Sequence, residues 1–279
     1  MQPAVPLVGE TAREREEHGA DRRKVLERKA LSAASVAETL RLEGRTELDR
    51  AWLALALSGF GSGLSIGLSF LGEGVLHGHL PNAEWRPLLT SFGYTLGFLV
   101  VTLGRQQLYT ETTLTALLPA LHGRTSRLFA SAMRLWAVVL VANLIGAAMF
   151  AWAAAASPAF SPELHGAFRE LGHQALRNEP WSAFVKGIFG GWLIALMVWL
   201  LPSAHTARIW IIVALTYVLS AAQLTHIIAG SVDAFYLMAV GELSFIDYAW
   251  RYGVPVLVGN TIGGVVLVTA LNWFQVASE

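Results

Sequence analysis

The 279-residue chain contains no cysteine, which excludes disulfides, thiolate metal sites and a cysteine nucleophile. It is also poor in charge. Only 14% of its residues are Asp, Glu, Lys or Arg, against about 25% in an ordinary soluble domain. It has no HExxH pattern and no convincing Ser/His/acid triad, so intramembrane or metal-assisted hydrolysis finds no support. What is abundant is apolar surface. Hydrophobic residues make up 54% of the chain and the mean hydropathy is +0.49, the composition of an all-α integral membrane protein.

The formal net charge of zero hides an uneven distribution. Residues 1–50 hold ten of the twenty Lys and Arg and ten of the twenty Asp and Glu. A charged arm this long ahead of the first apolar run predicts no cleavable signal peptide. We expect residues 1–21 to be disordered and 22–45 to form an amphipathic cytoplasmic helix, with a solvated charged helix as the alternative. Val25, Leu26, Ala30, Ala33, Val36 and Leu40 recur there at helical spacing. Thr46 and Asp49 suggest a capping box opening the membrane domain, 46–279.

Six hydrophobic segments follow, at about 52–75, 87–120, 128–156, 181–203, 208–241 and 249–275. The second and fifth are too long for one span and carry polar interruptions, 105–113 (RQQLYTETT) and 223–233. With Arg124, Arg127 and Arg208 inside and Glu242 and Asp247 outside, both termini are expected to be cytoplasmic. The tryptophans, including Trp52, Trp85, Trp181, Trp250 and Trp273, stand mainly near segment ends, as interfacial anchors do.

The stretch 220–235, SAAQLTHIIAGSVDAF, puts Gln223, Thr225, His226, Gly230, Ser231 and Asp233 inside an apolar run. Of the eight histidines, His226 alone has flanks that place it at membrane depth. An ionisable group there marks a functional site, and polar backbone there must face protein or a water-filled path. His77 and His79 form a weak metal signal with no third ligand.

The two halves repeat each other weakly. Ala142–Ala147 (ANLIGA) parallels 259–264 (GNTIGG), and Gln107-Leu108 parallels Gln223-Leu224. Three spans per half give the halves opposite topology, and a broken helix in each points to a path at the midplane. Gly59, Gly63 and Gly67, and Gly187, Gly190 and Gly191, suit close helix contact.

On Tyr94-Thr95-Leu96-Gly97-Phe98, Leu108-Tyr109-Thr110, Asn143, Asn260 and the run 219–226, the chain resembles the formate/nitrite transporter family over about residues 25–275. The version at 104–111 looks closest to its YfdC-like branch. The resemblance implies an aquaporin-like fold, with six transmembrane helices in two inverted three-helix repeats and helices 2 and 5 broken. It implies a homopentamer in the inner membrane with one pore per protomer, carrying a small monovalent anion with a proton, and no cofactor or nucleic acid. His226 then stands at the central pore histidine and Thr110 at the opposing threonine. Phe98, Leu108 and Tyr109 match the cytoplasmic constriction, and Tyr94 and Leu219 the periplasmic one. Departures are Thr225 and Gln107 where acidic residues are common, Glu111 after Thr110, and Gly191 for an asparagine. The vestibule lysine has only Arg177 nearby, or Lys186 inside the span start.

The expected mechanism holds an anion between Thr110 and His226, with fixed donors replacing its water or a proton neutralising it. Histidine titrates near 6.5 when unperturbed, which suits the proton part. Asn143 and Asn260 line the pore or tie helix to helix. Arg105 and Glu111 pair with each other or draw substrate to the cytoplasmic mouth. Asp233 holds the loop of the fifth segment or ends its half-helix, and Lys186 fits a snorkelling interface residue. A neutral-solute channel and a closed, non-transporting scaffold are the alternatives.

Overall fold

The computed structural model describes residues 31–204 and 206–268. The expectation for residues 1–21, the start of the amphipathic segment and the end of the last hydrophobic segment lie outside the described residues. Those described are helical, with no strand among them. Helix α1 is Ala33–Leu48, α2 Trp52–His79, α3 Arg86–Leu103, α4 Tyr109–Thr115, α5 Leu117–Gly123 and α6 Ser126–Ala156. Then come α7 Pro162–Ala175, α8 Pro180–Leu200, α9 Arg208–Ala221, α10 Ile227–Ala239, α11 Phe245–Tyr248 and α12 Val254–Ile262. Among the described residues four apolar helices are long enough to cross a bilayer: α2, α3, α6 and α8 with its short extension to Ser203. Large apolar side chains cover the outside as well as the core, Leu57, Val141, Trp152 and Trp210 among them, as a lipid surround allows.

Local chemistry sets the helix ends. Thr125 and Ser161 accept the Leu128 and Leu164 amides as N-caps, and prolines open α3, α7 and α8. The Thr46–Asp49 capping box does not form. The extended residue ahead of α2 is Ala51, without a side-chain cap, while Thr46 lies within α1 and donates to the Leu42 carbonyl at 3.1 Å. Helix α1 buries Val36, Leu40, Gly44 and Leu48 at four-residue spacing. It packs Val36 and Leu40 with Leu114, Leu118, Ala195, Val198 and Trp199. Pro119 has no N–H to offer the Thr115 carbonyl. Gly44 comes so close to that oxygen that a Cβ would stand 1.8 Å from it.

The chain reverses conformation at two matching points. After α3, Arg105 takes φ 51°, and after α9, Gln223 takes φ 51°. At the first, Gln106 N–H bonds Val101 O (3.0 Å) and Arg105 N–H bonds Thr102 O (3.2 Å). At the second, Leu224 N–H bonds Leu219 O (2.9 Å) and Gln223 N–H bonds Ser220 O (2.8 Å). Both are Schellman ends, built on Arg and Gln instead of the usual glycine. The chain then runs extended to Leu108 and His226, which begin α4 and α10. This geometry corrects the sequence register by two residues, since Gln107 matches Thr225 and Leu108 matches His226. Within the interruptions the equivalence is carried by the backbone turns and not by shared side chains.

Helix contact is closest at glycine. A Cβ on Gly63 would meet the Asn143 carbonyl at 2.1 Å, and one on Gly191 the Asn260 carbonyl at 2.2 Å. Between α11 and α12, Ala249–Gly253 winds as a π-helical turn in which Val254 N–H reaches Ala249 O. Pro255 follows and cannot donate to Arg251 O, a sufficient cause for the widened turn.

Candidate functional site

Two asparagines fix the two interruptions to their neighbours. Asn143 of α6 accepts Tyr109 N–H on Oδ1 (2.8 Å). Its Nδ2 donates to Gly59 O (2.7 Å) and Gln107 O (2.9 Å). Asn260 of α12 accepts Ile227 N–H (2.8 Å) and donates to Gly187 O (2.7 Å) and Thr225 O (3.0 Å). Both are fully buried, and their amides are consumed by backbone. Of the two roles open from sequence, these contacts are the helix-tying one.

Held this way, the interruptions bring residues 110 and 226 together. Thr110 Oγ1 lies 2.7 Å from His226 Nε2, and each residue is 1% exposed. His226 is the N-cap of α10, its Nδ1 accepting the Ala229 N–H at 3.2 Å. A nitrogen that accepts carries no proton, so the neutral ring bears its hydrogen on Nε2 and donates it to Thr110. The Thr110 hydroxyl keeps its own hydrogen to give. Phe98 meets the imidazole edge-on at 5.1 Å, and Tyr94 lies 5.3 Å from Phe98.

Two cavities approach this pair. The first, about 680 Å³, lies beneath α1, its wall including Glu43, Glu47, Arg105, Gln107, Leu108 and Glu111. The second, about 110 Å³, is walled by Glu73, Tyr94, Arg177, His226, Asp233 and Tyr252 among others. Phe98, Thr110 and Leu219 line neither and are buried.

The family model for the formate/nitrite transporter matches residues 34–274. Over 247 residues, 88% of this chain and 80% of the relative, it is 37% identical to the inner membrane protein YfdC of Escherichia coli (strain K12). The chain belongs to the formate/nitrite transporter family. Its fold is similar to that of a pentameric formate channel with formate bound, with a TM-score of 0.68 and 21% identity over 80% of this chain and 97% of that one. It is also similar to an FNT family ion channel, with a TM-score of 0.66 and 21% identity over 87% and 96%. Members of this family are membrane channels and transporters, not enzymes.

Within the frame of this formate/nitrite transporter, the other expected residues separate. Arg105 and Glu111 do not pair. Arg105 bonds Glu43 at 3.3 Å, and Glu111 accepts from Thr102 at 2.8 Å, because the left-handed turn at Arg105 sends its side chain toward α1. The Tyr109 hydroxyl lies 2.8 Å from Thr261 Oγ1, and its ring meets Trp136 edge-on. Lys186 donates to Asn178 Oδ1 at 2.9 Å. Asp233 lies within α10, on the wall it shares with His226 and Gly230. His77 bonds Glu170 (2.7 Å) and His79 bonds the Val75 carbonyl (2.7 Å).

Sequence reasoning missed Glu73, Glu47 and Tyr252. Glu73 bonds Ser220 at 3.2 Å on the second cavity's wall, and its signal was plain, a lone carboxylate in the apolar run of α2. Glu47 accepts from Thr115 (2.6 Å) and Gln107 (3.1 Å). Burial, the largest influence on it, pushes its carboxyl above the usual value. Nothing in the charged arm distinguished it from its neighbours.

Proposed function

We propose that this protein is a channel for small monovalent anions, formate, nitrite or a related short monocarboxylate, with His226 and Thr110 at the centre of its path. The contact between Thr110 and His226 carries this conclusion, a hydroxyl and an imidazole in hydrogen-bond contact between two cavities. An anion leaving the second cavity loses water on meeting Phe98, Leu108 and Leu219, a cost that fixed donors or a proton must offset. The Thr110 hydroxyl hydrogen is the donor at that point, and the His226 Nε2–H, bonded to the same oxygen, orients it. A proton taken up by the anion lets it cross as the neutral acid, which is how permeation couples to a proton gradient. Arg177, and Lys186 through Asn178, draw the anion toward the second cavity, while Arg105 does so at the first.

In this proposal six spans form two inverted repeats in an aquaporin-like fold, the second made of α3 with α4–α5 and the fifth of α9 with α10. Support comes from length, since α9 has 14 residues and α10 has 13 where about 20 are needed to cross. The matching turns and asparagine bonds at the two interruptions support it too. The first cavity is cytoplasmic and the second periplasmic, Leu108, Tyr109 and Phe98 narrowing one mouth and Tyr94 and Leu219 the other. Both termini are cytoplasmic, and α1 lies on the cytoplasmic face. An inner-membrane location is supported by the description of the E. coli relative, and a homopentamer by the fold match to a pentameric channel.

The test is uptake of formate, nitrite, acetate and lactate into proteoliposomes with and without a proton gradient, for wild type and His226→Phe. Saturable uptake of one acid, lost or made independent of the gradient in the variant, is expected. Water or glycerol permeation without acid flux would overturn the anion assignment in favour of a neutral-solute channel, and no flux of any kind would favour a closed scaffold.

A further inference from the structure

We propose that Tyr252 is a positioning residue for His226. Its hydroxyl holds the first turn of α10 so that the imidazole keeps Nδ1 on the Ala229 amide and presents Nε2–H to Thr110. The inference rests on the role given to His226 above and adds a residue to that site.

Tyr252 is 3% exposed and lies in the π-helical turn Ala249–Gly253. Its hydroxyl donates to the His226 carbonyl at 3.1 Å. The same oxygen accepts the Gly230 N–H at 3.0 Å, so the His226 carbonyl has two donors. The approach depends on the residue at 230, where a Cβ would stand 1.7 Å from the Tyr252 hydroxyl. Glycine there makes the room.

A second tyrosine braces the next residue. Tyr248 lies one turn earlier, its ring 6.4 Å from that of Tyr252. Its hydroxyl is 2.7 Å from Ser231 Oγ, and Ser231 in turn donates to the Ile227 carbonyl. Asn260 takes the Ile227 N–H. The segment 248–260 therefore engages successive peptide groups at the start of α10. Of the two tyrosines, Tyr252 reaches the residue that bears the imidazole, and it shares the wall of the second cavity with it.

The other interruption provides an internal comparison. Leu108 occupies the position matching His226 but has no polar group to orient. Among the described residues its carbonyl accepts only the main-chain N–H groups of Glu111 and Thr112. The His226 carbonyl has one main-chain donor, Gly230 N–H, and takes its second from the Tyr252 side chain, at the point where an imidazole must be oriented. Phe98 packs edge-on against the imidazole and confines it, so a shift of the His226 carbonyl costs the ring its contact with Thr110.

The experiment compares wild type, Tyr252→Phe, His226→Phe and the double variant as full chains in proteoliposomes, with formate and nitrite as probes and the ¹⁵N spectrum of histidine side chains as a second readout. Tyr252→Phe keeps assembly and lowers the maximal rate about tenfold while KM stays within about twofold, the pattern of a mispositioned group. The double variant is no slower than His226→Phe alone, because the two residues act as one unit. The His226 signal, assigned by its loss in His226→Phe, shows the Nε2–H tautomer in wild type and a mixture in Tyr252→Phe. Gly230→Ala, which displaces the tyrosine hydroxyl without touching Tyr252, reproduces the mixture. A wild-type tautomer in Tyr252→Phe, additive losses in the double variant, or a changed KM with an unchanged tautomer would each overturn the proposal. Should His226→Phe leave uptake unaltered, the transport role of His226 falls, and the tautomer spectrum alone decides the part of Tyr252.

Discussion

Asn143 and Asn260 make the same three hydrogen bonds in two places. Each accepts the N–H that follows an interruption's extended residue, and each donates to one carbonyl of the interruption and one of a glycine. Asn143→Ala leaves Tyr109 N–H and Gln107 O without their partner in the interior and removes the second donor of Gly59 O, which keeps its helical bond. Unpaired buried groups cost about 1–3 kcal/mol each, so thermal unfolding in detergent should show a loss of several degrees, and Asn260→Ala a similar one. Unchanged stability with altered solute selectivity would instead return both residues to the path.

Thr110→Val keeps the shape of the side chain and leaves the His226 Nε2–H without an acceptor. Loss of one such bond is worth about 1 kcal/mol, and loss of the hydroxyl donor to the anion adds to it. Formate uptake should fall by about tenfold or more, while Thr110→Ser recovers most of it. Equal rates in the valine and serine variants would remove the hydroxyl from the mechanism.

Glu47 links α1 to α4 through Thr115 and to the interruption through Gln107. Burial raises its carboxyl above the ordinary 4.5. The folded state therefore holds the proton more tightly than the unfolded one, and its advantage fades as pH rises above about 4.5 toward the raised value. Hydrogen exchange in α1, corrected for the intrinsic rate, should become faster across that interval, and Glu47→Gln should flatten the dependence. A steep profile that survives in Glu47→Gln would place the titrating group elsewhere.

Glu170 behaves in the opposite sense. Its bond to His77 holds its carboxyl below the ordinary value, so its contribution is present above about 4.5 and is lost as pH falls through the lowered value. Since α7 helps wall the second cavity, Glu170→Gln should lower the thermal midpoint at pH 7, and its difference from wild type should shrink as pH falls below about 4.5. The effect should be small, because the carboxylate is exposed and well screened.

The amino-acid order alone determined the membrane class, the apolar segments and the polar stretch around His226. Each of these depends on local composition, and a bilayer reads composition directly, because about 20 apolar residues suffice to cross it. Short runs around Thr110, His226, Asn143 and Asn260 carried the family, which the match over 34–274 bears out. Tertiary structure decided what those residues touch. Arg105 joined Glu43 and not Glu111, because a left-handed turn redirects a side chain in a way composition does not encode. Both asparagines were spent on backbone carbonyls and amides that any sequence would present. The two-residue register of the interruptions, the approach of Glu73 to Ser220 and the contact of Tyr252 with the His226 carbonyl all join segments far apart in the chain. Their geometry follows from close packing at Gly63, Gly191 and Gly230, which sets how near the helices come before any side chain can choose a partner.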